Sequence, residues 1–166
     1  GFPGIKLHPD YQGSPIDSPK FIALIKKAIS LDLIILIHSG IDVGKPDSIY
    51  CSPKRFLNVL DALTYDEYLN NKIVLAHTGG WKLWEDVATL LVGKNVYFDL
   101  SYSMGFIDDS LLVSMIKEHG TDKILFATDS PWQDPSYVIK HLQSLPLTKD
   151  DIDAILSGNA VKLLGL

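Results

Sequence analysis

The chain has a single cysteine, Cys51, among 166 residues, which excludes an intramolecular disulfide and a cysteine-built zinc knuckle and fits a reducing compartment. Cys51 itself reads as a small, half-buried residue. Basic clusters are also missing. No Lys/Arg group exceeds a pair such as Lys26–Lys27 and the net charge is −5, so there is no electrostatic footprint for nucleic acid. No run approaches the ~18 apolar residues that a membrane helix needs, and the opening GFPGIKLHPD lacks the basic start and long apolar stretch of a signal peptide. Low-complexity segments and linkers are absent as well. A cytoplasmic protein acting on a small molecule, with neither nucleic acid nor membrane as partner, is the expectation. At 46% hydrophobic and 21% charged, residues 1–166 suit one globular domain.

What is present is a rhythm. Short apolar, β-branched runs at 5–8 (IKLH), 33–38 (LIILIH), 73–77 (IVLAH), 96–101 (VYFDLS) and 124–129 (ILFATD) suit buried strands. Helical spacing fills the intervals. Phe21, Leu24, Ile25 and Ala28 follow Ser18–Pro19, and Phe56, Val59, Leu60 and Leu63 follow Ser52–Pro53. Trp81, Trp84, Ala88 and Leu91 form a third stripe, and Leu112, Met115 and Ile116 a fourth after Asp108. Thr148 and Asp151 have capping-box spacing before the last helical stretch.

Five strand–helix alternations imply a parallel sheet with helical crossovers. Two architectures fit: a five-stranded doubly wound sheet, complete at this length, or the last five units of a (β/α)8 barrel, which typically needs ~250 residues.

Polar residues gather where these runs end. The sets Ile34/Leu36/His38, Ile73/Leu75/His77 and Leu125/Ala127/Asp129 each alternate onto a metal-capable side chain. Lys6 and His8 share a face of the first run, and Asp99 lies between Tyr97 and Ser101. In a closed barrel such ends converge on one axis, where His/His/Asp donors suit zinc or another borderline divalent ion. His77 ends a buried strand within KIVLAHTGGW. It reads either as a core histidine bonded to backbone or as a group held for chemistry, with Gly79 and Gly80 letting backbone or ligand come close. His119 and His141 read as surface residues on helices.

The segments LIHSG, VLAHTGG, VYFDLS, ILFATDSPW and ILSGNAVKLLGL, in this order and spacing, resemble the amidohydrolase superfamily, in the branch called amidohydrolase 2 that includes the aminocarboxymuconate-semialdehyde decarboxylases. The resemblance implies a distorted (β/α)8 TIM-type barrel. Its metal is held by a His-x-His pair on strand 1, a histidine on strand 5 and an aspartate on strand 8, with a strand-6 histidine working beside it. Matched residue by residue, the metal ligands are His38 and Asp129, and the working histidine is His77. No His-x-His occurs anywhere in the sequence. By family order IKLH is strand 4, so the expectation is α/β: the C-terminal five βα units of the barrel, lacking strands 1–3. The piece is then expected to associate with itself or with a missing N-terminal segment.

The implied cofactor is a divalent metal, zinc by preference, in the full-length protein. The leading expectation is a hydrolase in which metal-activated water attacks an amide, ester or lactone, with His77 and Asp129 as the catalytic pair. Non-oxidative decarboxylation of an unsaturated or aromatic carboxylic acid is the alternative within the family, and a non-enzymatic doubly wound ligand-binding domain the alternative outside it. Against the latter, no G-x-G-x-x-G follows the first strand. Substrate contacts fall to Lys6 and His8, with Trp81 and Trp132 as aromatic walls, and substrate choice to loops 9–18, 39–53 and 102–110. For Lys6 a plain mouth-facing amine, and for the tryptophans ordinary packing, are the competing readings. Asp99 reads as a group that caps a loop or supports a ligand from behind.

Overall fold

β-branched runs bounded by capped helices produce five parallel strands that pair in chain order. The computed structural model describes residues 1–166, with β1 (Gly4–Leu7), β2 (Ile34–Ile37), β3 (Lys72–Leu75), β4 (Tyr97–Asp99) and β5 (Ile124–Leu125) in the order β1-β2-β3-β4-β5. This order excludes the doubly wound alternative, which requires a strand to reverse the direction of winding. The helices are α1 (Pro9–Gln12), α2 (Pro19–Ser30), α3 (Pro53–Asp61), α4 (Tyr65–Asn70), α5 (Trp84–Leu90), α6 (Asp109–His119), α7 (Pro135–Ser144), α8 (Lys149–Asp153) and α9 (Asn159–Leu164). None is long and apolar enough to cross a membrane.

Local chemistry sets the boundaries. Ser18 and Ser52 cap α2 and α3 ahead of a proline at the first helical position, and Thr148 and Asp151 close the expected capping box of α8. A second capping box, Thr64 with Glu67, starts α4, whose polar face gave no periodic signal. The expected tryptophan stripe is split: α5 begins at Trp84, and Trp81 lies in the preceding turn, where Lys82 takes a left-handed φ of 57°. The 124–129 run pairs only at its first two residues because the Phe126 N–H turns away to the Ile155 carbonyl (3.0 Å). Asn159 of the GNA motif, buried, donates to the carbonyls of Thr121 (2.7 Å) and Ile124 (2.8 Å) and ties the last helix under β5.

Register decides which face meets the helices. Ile37, Leu75, Phe98 and Ile124 align across the sheet and join Leu7, Ile35 and Ile73 in one core with Phe21, Ile25, Phe56, Val59, Val87, Leu112 and Leu142. The other face carries Lys6, Leu36, Val74 and Tyr97, and of these Leu36 and Tyr97 stay half-exposed and Lys6 exposed. Ile73 and Leu75 therefore belong to the helix side, not to the face expected to carry His77. His77 reaches the other face because it and Thr78 adopt left-handed φ values of 62° and 54°, which break strand alternation.

Three smaller expectations need correction. Cys51 is fully buried rather than half-buried, and burial pushes its thiol up to about 12, so it is inert packing beneath Ser39. His119 is not a surface residue: it is buried, stacks on Phe98 (centroids 4.0 Å apart) and bridges the Gly93 N–H and the Val96 carbonyl. Gly79 serves packing rather than ligand approach, since a Cβ there would sit 2.8 Å from Val87 and 2.9 Å from Phe98.

Candidate active site and metal centre

The seven residues expected from sequence to be ligands, catalytic groups or substrate contacts line one cavity of about 570 Å³ at the C-terminal ends of the strands: Lys6, His8, His38, His77, Trp81, Asp129 and Trp132. The positions follow from the strand ends. His8 and His38 each come directly after β1 and β2, His77 two residues after β3, and Asp129 four residues after β5 in an exposed turn with φ 55°.

Three imidazoles form the centre. The rings of His8 and His38 stack in parallel, centroids 4.0 Å apart and 7° between planes. His38 Nδ1 lies 3.1 Å from His77 Nε2, and His77 Nδ1 lies 3.0 Å from the Ser101 carbonyl and 3.0 Å from its hydroxyl. Behind this row, the Asp99 carboxylate accepts the His77 N–H (3.0 Å), the Ser101 N–H (3.0 Å) and the Ser101 hydroxyl, while the Asp99 carbonyl accepts the Thr78 N–H at 2.6 Å. Asp99 thus clamps both residues of the left-handed turn. This bears out the loop-capping reading of Asp99, while Ser101, which it also holds, had no sequence signal beyond its place in VYFDLS.

The carboxylate nearest to His38 is Asp42, which the sequence reading missed. Asp42 Oδ2 lies 3.3 Å from His8 Nε2 and 3.9 Å from His38 Nε2, and donor atoms of His8, His38 and Asp42 all fall within 4.8 Å of one another. Asp129 shares the cavity but stands outside this cluster. The only local signal for Asp42 is an acid four residues after His38 in the irregular loop. That loop is pinned by Asp10, whose buried carboxylate accepts the Tyr50 N–H at 3.0 Å.

The donor set fits a divalent ion. His38 Nε2 is buried with no hydrogen-bond partner, a condition that costs free energy unless something fills the site. Burial, reinforced by the neighbouring His77, His8 and Lys6, which oppose a positive charge on the ring, drives the His38 imidazole down to about 2, so it stays neutral, the form that ligates metal. Burial also lowers His8, against the pull of Asp42 and Asp10. Two imidazoles and a carboxylate suit a borderline divalent ion such as zinc.

The mouth is aromatic. Trp81, only 5% exposed, stacks on Tyr102 (5.7 Å, 27°) and meets Phe106 (5.5 Å), and its indole N–H has no partner. Trp132 stands at the rim, 72% exposed. Lys6 lies inside the cavity and takes part in none of the chain's ion pairs. Although the residue is exposed, the surrounding cavity walls partly desolvate its amine and lower it, and the Asp99 and Asp129 carboxylates oppose that shift. The cavity thus brings a cation, an unpartnered N–H donor and flat aromatic surfaces around an imidazole cluster, alongside the Asp42 and Asp129 carboxylates.

This is a parallel α/β fold with an ionisable centre at the strand ends, the usual address of catalysis in barrel enzymes. The chain belongs to the amidohydrolase family, whose sequence profile matches residues 1–166. Solved structures share the fold. A TIM-barrel protein from Bordetella bronchiseptica superimposes with a TM-score of 0.75 at 20% identity, over 91% of this chain and 52% of that one. The 5-carboxyvanillate decarboxylase of Sphingomonas paucimobilis gives 0.71 at 18% identity, over 99% and 59%. A dihydroxybenzoic acid decarboxylase from Polaromonas, solved with manganese and the inhibitor 2-nitroresorcinol, gives 0.70 at 18% identity, over 100% and 61%. The chain therefore spans little more than half of the length of these proteins. No curated protein matches it.

Proposed function

We propose that residues 1–166 are the C-terminal five βα units of an eight-stranded amidohydrolase barrel, and that their site, with a divalent ion, carries out non-oxidative decarboxylation of an unsaturated or aromatic carboxylic acid. The observation that carries this reading is Lys6, a cation without an ion-pair partner in a cavity walled by Trp81, Tyr102 and Trp132 and centred on His38 and His77. Such a lining suits a planar acid anion. The decarboxylases that share the fold support it, and the half-exposed inner face of the sheet supports the barrel assignment.

Among this chain's residues, His38, His8 and Asp42 would hold the ion, with Asp129 as a further carboxylate in the same cavity. When bound, the ion supplies Lewis-acid polarisation of a substrate oxygen, and zinc or manganese both suit the donors. Lys6 pairs with the substrate carboxylate. The Trp81 N–H donates to a substrate oxygen, while the aromatic rings flank the plane of the molecule and keep water out. His77, anchored at Nδ1 by Ser101, offers at Nε2 a lone pair that can take up a proton, and Asp129 is the carboxylate that can exchange it. Hydrolysis of an amide, ester or lactone, the first expectation from sequence, uses the same groups and is favoured only by the family's name.

The test is a reaction panel on the protein purified with all of its encoded residues and loaded with Mn²⁺ or Zn²⁺. Hydroxylated benzoates and unsaturated acids labelled with ¹³C at the carboxyl should release labelled CO₂ and bicarbonate, seen by NMR. Turnover of lactones or amides with no CO₂ from any acid would overturn the decarboxylase reading.

A further inference from the structure

We propose that Asp99 and Ser101 are positioning residues that fix the protons of two imidazoles in series, so that His38 presents Nε2 to the cavity as a bare lone pair. The argument is one of donor and acceptor accounting. The Ser101 hydroxyl has one proton, and it is given to the Asp99 carboxylate, which can only accept. The hydroxyl oxygen, 3.0 Å from His77 Nδ1, is left as an acceptor, and the Ser101 carbonyl, also 3.0 Å from Nδ1, is one by nature. Two acceptors facing one ring nitrogen place the proton on His77 Nδ1. Neutral His77 therefore has a lone pair at Nε2.

That lone pair faces His38 Nδ1 at 3.1 Å. Two lone pairs do not meet at this distance, so His38 Nδ1 carries its ring's proton and donates it to His77. His38 Nε2 is then unprotonated, which agrees with its burial without a partner and with a nearest carboxylate oxygen, on Asp42, at 3.9 Å, too far for a hydrogen bond. The chain holds its own contrast. His119 is oriented the other way, with Nε2 2.9 Å from the Val96 carbonyl and Nδ1 accepting the Gly93 N–H at 3.1 Å, which makes it the Nε2–H form.

The Asp99 carboxylate matters because it disposes of the hydroxyl proton. Without it, the Ser101 O–H is free to donate to His77 Nδ1, which turns His77 to the Nε2–H form and, through the 3.1 Å contact, forces His38 to carry its proton at Nε2. The ligand nitrogen is then blocked. This consequence rests on the metal-site reading above, but the tautomers themselves are read without metal or substrate.

The experiment is long-range ¹H–¹⁵N correlation of the histidine rings in ¹⁵N-labelled protein stripped of metal, at a pH where the rings are neutral. His77 and His38 should both show protonated Nδ1 and bare Nε2, with His119 as the opposite pattern in the same spectrum. In Asp99→Ala both rings should shift towards Nε2–H, and Zn²⁺ affinity should fall at least tenfold, within the 10–100-fold range of lost partners behind a ligand. Asp99→Asn, whose carbonyl still accepts the hydroxyl, should keep the wild-type pattern. Removing the hydroxyl as well, in Asp99→Ala/Ser101→Ala, should restore Nδ1–H through the carbonyl alone. Wild-type His38 or His77 as Nε2–H overturns the proposal even if no variant folds, and an Asp99→Ala spectrum identical to wild type overturns the role of Asp99. Loss of Zn²⁺ binding with unchanged tautomers would fault this relay while leaving the metal site standing.

Discussion

His77 Nε2 lies 3.1 Å from His38 Nδ1 although the two side chains leave neighbouring strands at positions of opposite parity. Strand alternation alone would send His77 into the helix-side core. The left-handed backbone at His77 and Thr78 turns it back, and Gly79 completes the turn with φ +81°. The centre is therefore built on a conformation that non-glycine residues pay for, about 1–2 kcal/mol each, and that the Asp99 carboxylate and carbonyl hold in place.

Gly79→Ala should break this turn. A Cβ at that position adds left-handed strain to overlap with Val87 and Phe98, for a loss of roughly 2–4 kcal/mol. Chemical denaturation should show a lower midpoint, and Gly13→Ala, at φ +69° but in open space, should cost less.

Substrate recognition divides between charge and donor. Lys6→Met should lower kcat/KM for an acid substrate by about 10–100-fold, the worth of a hydrogen bond to a charged group. Trp81→Phe keeps the ring surface and removes only the N–H, so a smaller loss of about tenfold is expected. Steady-state kinetics on both variants checks the order, and a larger effect from Trp81→Phe would reverse these assignments.

Stability should fall with acid in part through His119. Burial lowers its imidazole to about 4, below the ~6.5 of an unfolded histidine. Between these values the unfolded chain binds a proton that the folded chain refuses, so this contribution is complete above about pH 6.5 and is lost as pH falls towards 4. Urea midpoints at pH 7 and pH 5 should therefore differ more for wild type than for His119→Gln, and an equal difference would contradict the assignment.

The inner face of the sheet, with Lys6 exposed and Leu36 and Tyr97 half-exposed, leads to a proposal about association. Apolar surface and two sheet edges, on β1 and β5, favour pairing with another segment or a second copy. Light scattering on residues 1–166 should report a species larger than a monomer. A stable monomer with cooperative unfolding would count against it.

The sheet was legible because parallel strands buried on a helix-covered face read as apolar runs, and because serine–proline pairs mark helix starts. The short ends were not: hydrogen bonds such as Phe126 to Ile155, made between residues far apart in sequence, decide where pairing stops. The histidines and Asp129 stood out as polar residues closing apolar runs. Asp42 did not, because it sits in an irregular loop whose course depends on the buried Asp10. His119 was misplaced for a related reason, since its burial is set by Phe98 and Val96 on another element.

Metal content of single-site variants tests the central claim, that His38 is the ligand imidazole and His77 the working one. In the intact protein, His38→Ala, and likewise alanine at His8, Asp42 or Asp129, should lower the bound divalent ion well below about one per chain. His77→Ala should still carry the ion, held more weakly because His38 loses the partner at Nδ1, while turnover falls by a factor on the order of 10²–10⁴, as for a lost acid–base group. Elemental analysis of the purified variants decides it: an ion lost from the His77 variant and kept in the His38 variant would contradict the account.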